Sequence, residues 1–226
     1  MKRKSIVRDW HSLAQRDPQP AEGVLVSEEL LRLLRDSTTK VEPQKIAVAV
    51  DPSGGGRDVA GVVGGFLGDD RRVWITHDVS AATSSADWST AACRLAYETN
   101  AAIIYVEANY GCDMCWLAIR TSWETLQLVT AKQGKLLRAE PVAQQMVQDR
   151  VRLRGLFLDL EREWSTWMST DPDSPGRIDA SRNLAYGLIP EANKGAIVHA
   201  PLPQAPVTGS RQPSAAAGAY GRRIGK

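Results

Sequence analysis

KIAVAVD at residues 45–51 and AAIIYVE at residues 101–107 decide the fold. Each is a short apolar run with no turn former inside it, and KIAVAVD is β-branched at every second position. Strands covered on both faces read this way, so both belong in the middle of a sheet. Both also end on a carboxylate, Asp51 in the first and Glu107 in the second.

Working outward, DVAGVVGGFL (58–67) and RRVWITHDV (71–79) are two further strands, with Gly68, Asp69 and Asp70 as the hairpin turn between them. SADWSTAACRLAYETN (85–100) sets Trp88, Ala92, Leu95 and Ala96 at helical spacing behind Ser85 as cap. A helix leading into AAIIYVE predicts a parallel return through a right-handed crossover. A helix over about residues 112–123 follows, then the strand TLQLVTA (125–131) and the helix RAEPVAQQMVQDR (138–150), with Pro141 in its first turn. RVRLRG (150–155) alternates strictly and reads as an edge strand, and LDLEREWSTWM (158–168) and RIDASRNLAYGLI (177–189) are the last helices. The element order predicts an α/β fold: a mixed sheet of five strands or slightly more, with helices on both faces. That order belongs to the ribonuclease H-like fold and also to the actin/hexokinase-type nucleotide-binding fold, and does not choose between them.

The remainder of the chain bounds the possibilities. The 226 residues suit one domain with appendages or two small ones. Three regions of distinct composition are expected: a lead-in over residues 1–40, the α/β unit over 41–190, and a flexible Pro/Ala/Gly-rich tail over 191–226. Within the lead-in, Ser27 caps a short helix carrying Leu30, Leu31, Leu33 and Leu34, with Glu28 and Glu29 in its first turn. A formal charge of +2 neither requires nor excludes nucleic acid, so any such partner must be argued from local charge. Three cysteines cannot form a disulfide framework, and no apolar run reaches the roughly 20 residues of a membrane helix.

The carboxylates carry the chemistry. If the strands ending in Asp51 and Glu107 are parallel neighbours, their side chains share one rim of the sheet about 4.8 Å apart. That rim is where open α/β sheets place ligands. Asp179 opens the last helix, offset from the apolar row Ala180, Leu184 and Leu188, and is a third member. Asp58, at the start of the second strand, is a weaker fourth. Carboxylates without His or Cys make a hard oxygen site suited to Mg²⁺ or Mn²⁺. Two such ions support phosphodiester hydrolysis. The bland alternative for each acid is a strand cap or turn former.

These residues resemble a known family. VAVDPSGGGRDVAGVVGGFLGDDRRVWITHD is similar to the opening of the nuclease domain of viral terminase large subunits. IIYVEANYGCDMCWLAIR resembles that family's second acidic segment, KQGKLLRAEPVAQQMVQDRVRLRG its Lys- and Arg-bearing segment, and SPGRIDASRNLAYGL its closing helix. AEGVLVSEELLRLL resembles the passage from the motor domain into the nuclease. The resemblance implies a ribonuclease H-like fold and a two-metal endonuclease that cuts double-stranded DNA concatemers during genome packaging. It carries over Asp51, Glu107 and Asp179 as the acidic triad and Asp58 as the accessory acid. The implied partners are double-stranded DNA, the terminase ATPase motor, the small terminase subunit and the portal. The implied location is the host cytoplasm at the procapsid. No G-x-x-x-x-G-K-[ST] loop is present, so this chain is not expected to hydrolyse ATP alone, and it is either a nuclease portion or a separately encoded nuclease.

Several features are weighed beside these. Lys132, Lys135 and Arg138 follow the fifth strand near the metal rim and are assigned to DNA-backbone contact. Arg150, Arg152 and Arg154 share one strand face, as a phosphate-contacting stripe or as a charged edge that resists aggregation. Cys112 and Cys115 are read as incidental thiols, and Trp164 and Trp167 as packing residues. Other functions kept open are a Holliday-junction resolvase or transposase-like nuclease on the same fold, an actin-type nucleotide-binding protein, and a non-catalytic module docking on a packaging motor.

Overall fold

The computed structural model describes residues 24–53, 58–107, 119, 126–130, 135–189 and 197–198, with backbone alone for 126–130, 135–138 and 197–198. Strand β1 (Pro43–Asp51) is the centre of a seven-stranded sheet. On one side it pairs antiparallel with β2 (Gly61–Gly68), which pairs antiparallel with β3 (Val73–Asp78). On the other it pairs in parallel with β4 (Ile103–Glu107), and β4 pairs in parallel with β5 (Leu126–Thr130). The expected meander and crossovers are therefore present. Two short edges complete the order β6-β3-β2-β1-β4-β5-β7: β6 (Val151–Leu153), parallel to β3, and β7 (Ile197–Val198), antiparallel to β5. RVRLRG is the edge strand its alternation predicts. Ile197–Val198 falls in the stretch read as a flexible tail and instead closes the opposite edge.

The helices divide between the two faces. The side chains of β1 alternate, so Val48 and Val50 meet Trp88, Ala92, Leu95 and Ala96 of α2 (Ser85–Glu98), numbered after α1 (Glu28–Leu34) in chain order. Ala47 and Ala49 face the larger core, which holds α1 together with α3 (Lys135–Val147), α4 (Leu158–Thr166) and α5 (Gly176–Leu188). Leu30, Leu31 and Leu34 of α1 belong to that same core, and Ser27 caps the helix by accepting from the Leu30 N–H at 3.2 Å. Trp164 and Trp167 are buried in it, as packing residues.

Four local expectations are corrected. The cap of α2 is Ser84, which accepts from the Asp87 N–H, and not Ser85. Helix α3 starts at Lys135, so Pro141 lies inside it rather than in its first turn. There it removes one helical hydrogen bond, a cost that tertiary burial of Val142, Ala143 and Met146 offsets. Strand β2 begins at Gly61, because residue 60 forms only an isolated bridge with Ala81. Asp58 therefore stands before the strand and does not open it. In the β2–β3 hairpin the left-handed residue is Arg71 (φ 63°), one position beyond the expected turn. The expected helix over about 112–123 lies outside the described residues except Ile119, which is helical and buried.

Helix α5 fixes the functional end of the molecule. Nearly every side is covered, since it packs against β1, β2, β4, α3 and α4. Its first turn presses onto β2 through two glycines. A Cβ on Gly176 would lie 2.2 Å from the Val59 carbonyl oxygen, and one on Gly61 would lie 1.9 Å from the Gly176 carbonyl oxygen. Backbone approaches this close exclude any side chain.

Candidate active site

The parity that buries β1 and β4 also aims their last residues. Ala47 and Ala49 face α5, so Asp51 does too, and Ile103 and Tyr105 set the same direction for Glu107. The parallel register pairs Val50 with Val106, which brings the two acids together at adjoining carboxyl ends. Asp179 enters from above, in the first turn of α5. The three acids lie in one cluster: Asp179 and Glu107 both act on the Asp51 charge, and Glu107 shares a hydrogen bond with Asp51. Sequence separation of 128 positions, from 51 to 179, thus collapses into a single pocket.

All three are buried, Asp51 at 5 % exposure, Glu107 at 1 % and Asp179 at 2 %. Burial pushes the Asp51 carboxyl well above the usual carboxylate range. The charges of Asp179 and Glu107 push it further, and nearby Arg182 pulls in the opposite direction. Arg182 is the cation of the pocket, itself 2 % exposed. One Nη donates to Glu107 Oε2 at 2.5 Å and to Asn183 Oδ1 at 2.6 Å. The other lies 3.3 Å from Asp179 Oδ1. Asn183 Nδ2 in turn donates to the Val50 carbonyl at 3.3 Å, tying α5 to the strand end that carries Asp51.

A second set of contacts holds the start of α5. The N-cap residue is Pro175, which has no side-chain acceptor to offer. Glu163 of α4 replaces it, with Oε1 accepting from the Ile178 N–H at 2.9 Å. Arg177 Nε donates to Asp78 at 3.1 Å and Nη2 to the Ser80 carbonyl at 3.2 Å, locking the same turn to β3. Desolvation raises the Glu163 carboxyl to about 7, against the opposing pull of its bond to Ile178 and of Arg177.

The donor set fits a hard divalent cation. Among the described residues it consists of carboxylate oxygens without sulfur or imidazole, and three acids outnumber one guanidinium. The Ser53 hydroxyl, two residues past Asp51, is also buried without a hydrogen-bond partner among the described residues. Among those residues no three side chains stand ready as a metal cage. Arg182 holds two of the three acids.

Among the described residues, the other expected site residues do not join the three acids. Asp58 is exposed in the bend before β2 and is not among the charges acting on Asp51. Lys132, Cys112 and Cys115 lie outside the described residues, as do the side chains of Lys135 and Arg138 in the first turn of α3. On the edge strand, Arg152 pairs with Asp149 at 2.6 Å and Asp36 at 3.6 Å, and Arg154 donates to the Thr39 carbonyl at 2.5 Å. Both guanidinium groups lie over Trp74, at 5.8 and 4.9 Å. Arg150 makes no ion pair among the described residues. Sequence reasoning missed Arg182, Asn183 and Glu163. Only the i,i+3 spacing of Asp179 and Arg182 on one helix face was there to find the first.

The chain matches no protein-family model and no curated protein. Solved structures do match its fold. The nuclease domain of the large terminase subunit gp2 of bacterial virus Sf6 superposes with a TM-score of 0.58 at 11% identity, over 71% of this chain and 97% of that domain. The large terminase of bacteriophage HK97 gives 0.58 at 11%, over 73% of this chain and 43% of its own. The large terminase of a thermophilic bacteriophage gives 0.56 at 11%, over 75% and 46%. The chain thus spans nearly all of an isolated terminase nuclease domain and under half of two large terminases. The described residues have the ribonuclease H-like fold of phage large-terminase nuclease domains.

Proposed function

We propose that this chain is a metal-dependent endonuclease that cuts double-stranded DNA, acting as the nuclease part of a viral packaging terminase. The observation that carries the reading is the convergence of Asp51, Glu107 and Asp179 in one buried pocket at the carboxyl ends of β1 and β4. The fold supports it, and mutant forms of the Sf6 protein were solved with calcium and with manganese. Asp51, Glu107 and Asp179 would hold one or two Mg²⁺ or Mn²⁺ ions. Bound there, such ions supply an activated water and charge stabilisation at the departing 3′ oxygen.

The chain's own residues set the terms. Burial and the charges of Asp179 and Glu107 raise the Asp51 pKa, so a divalent cation there would compete with a proton for its oxygens. Glu107 and Asp179 are held by Arg182, and the burial of the pocket keeps all three acids out of bulk water. Lys132, Lys135, Arg138 and Arg150 are assigned to the DNA backbone, where contacts tolerate any sequence. The nuclease unit is the body around the seven-stranded sheet, and it takes in α1 before residue 41. The terminase motor, the small subunit and the portal are its partners in packaging, at the procapsid in the host cell. Among the described residues no helix is long and apolar enough to cross a membrane.

The test is supercoiled-plasmid cleavage in Mg²⁺, Mn²⁺ or EDTA. Wild type is expected to cut with either ion and to stop in EDTA. Replacing an outer partner of a metal ligand typically costs about 10–100-fold, so Asp51→Asn, which removes a ligand, should lower cleavage by about 100-fold or more. Undiminished cutting by a folded Asp51→Asn protein refutes the reading. A preference for branched over linear duplexes would move the task to junction resolution on the same chemistry.

A further inference from the structure

The nuclease reading leaves Arg182 without a task. Its guanidinium is a cation inside a cluster built from acids. It touches two of the three proposed ligands, Glu107 at 2.5 Å and Asp179 at 3.3 Å. Its own satisfaction is incomplete: at 2 % exposure, Nε has no hydrogen-bond partner among the described residues. A buried guanidinium with an idle donor is held by the charges it faces more than by a closed hydrogen-bond network. Asn183, which accepts from the same Nη, is anchored to the Val50 carbonyl and marks where the guanidinium rests.

We infer that Arg182 is a tethered counter-cation, a positioning residue that neutralises Glu107 and Asp179 in the metal-free protein and that a divalent ion must displace from them. The inference rests on the nuclease reading of the same pocket. A divalent ion on these carboxylates would repel the guanidinium at close range, which favours its displacement. The ion therefore binds in exchange for the guanidinium. Arg182 thereby keeps the metal-free pocket from flying apart and sets a threshold of metal concentration below which the acids stay sequestered.

The experiment compares wild type, Arg182→Gln and Arg182→Lys. Calorimetric titration with Mn²⁺ gives the dissociation constant, and melting in EDTA and in saturating Mn²⁺ gives the stability of each state. Arg182→Gln is expected to bind Mn²⁺ at least about tenfold tighter than wild type, because one cation fewer competes for Glu107 and Asp179. It should melt lower in EDTA and gain more from Mn²⁺. Arg182→Lys, whose ammonium cannot fork to both carboxylates, should fall between them. In wild type, the ¹⁵N guanidinium signal of Arg182 should be slow to exchange without metal and should shift and lose protection on saturation with Mg²⁺. That measurement needs no variant to fold. Equal or weaker Mn²⁺ binding by a folded Arg182→Gln protein, or an Arg182 signal indifferent to Mg²⁺, overturns the inference while wild-type cleavage still supports the nuclease. Absence of metal binding in every form, with no cleavage, overturns both.

Discussion

Burial raises the pKa of both Asp51 and Glu163, and the two acids sit in different settings. Glu163 caps α5 with an oxygen that needs no charge, while its carboxyl is raised from 4.5 to about 7. The folded chain then keeps a proton that the unfolded chain sheds from 4.5 upward, so stability is full below that value and falls as pH rises to about 7. Glu163→Gln retains the acceptor for Ile178 without the charge, and at pH 8 it should be more stable than wild type by about 2–3 kcal/mol in chemical denaturation, the advantage vanishing near pH 4. Asp51 is also raised, by burial and by its two acidic neighbours, so metal-free wild type should lose melting temperature as pH climbs above the ordinary carboxylate range. Asp51→Asn should flatten that slope in EDTA while abolishing cleavage. An unchanged slope in the variant would show that Asp51 ionises freely in the fold.

At the scale of elements, the decisive contact is helix on strand. A methyl group at Gly176 would collide with the backbone of residue 59, and the backbone cannot yield as a side-chain tip can. Gly176→Ala should therefore cost about 1–3 kcal/mol in urea unfolding. It should also depress plasmid cleavage, since it lifts the turn that bears Asp179. Cleavage at the wild-type rate in that variant would separate the seating of α5 from catalysis. The central strands were legible because each announces itself by a short apolar run, and the acids at positions 51 and 107 because they end such runs. What stayed hidden depends on tertiary contact. A cap supplied to α5 by Glu163 from another helix leaves no local trace, and a buried arginine inside a helix looks in sequence like a solvated one. Pro141 was placed in a first turn on propensity, and burial of its neighbours prevailed.

Over the whole molecule, positive charge divides into committed and available groups. Arg152 bridges Asp36 and Asp149 and covers Trp74, so Arg152→Ala should destabilise the edge strand and affect DNA binding only through that loss. Arg150, by contrast, is without an ion pair among the described residues. Arg150→Ala should weaken binding to duplexes of any sequence and reduce the salt slope of log K by about 1, measured by fluorescence anisotropy at several salt concentrations. A slope identical to wild type would remove Arg150 from the DNA surface. The global topology was legible from element order and the resemblance together, since order alone left the actin-type fold open. The two-residue strand at Ile197–Val198 was not, because its partner is an edge far away in the chain.

The three acids come from the first strand, the fourth strand and the last helix, and this has a consequence for biosynthesis. A ribosome releases the chain from the amino end, so Asp51 and Glu107 are translated long before Asp179 and Arg182 exist. Until residues 176–188 emerge and seat themselves, a growing polypeptide owns neither the third acid nor the guanidinium that pairs with Glu107. A half-made copy thus lacks the three-acid cluster, which is complete only once the last helix is in place.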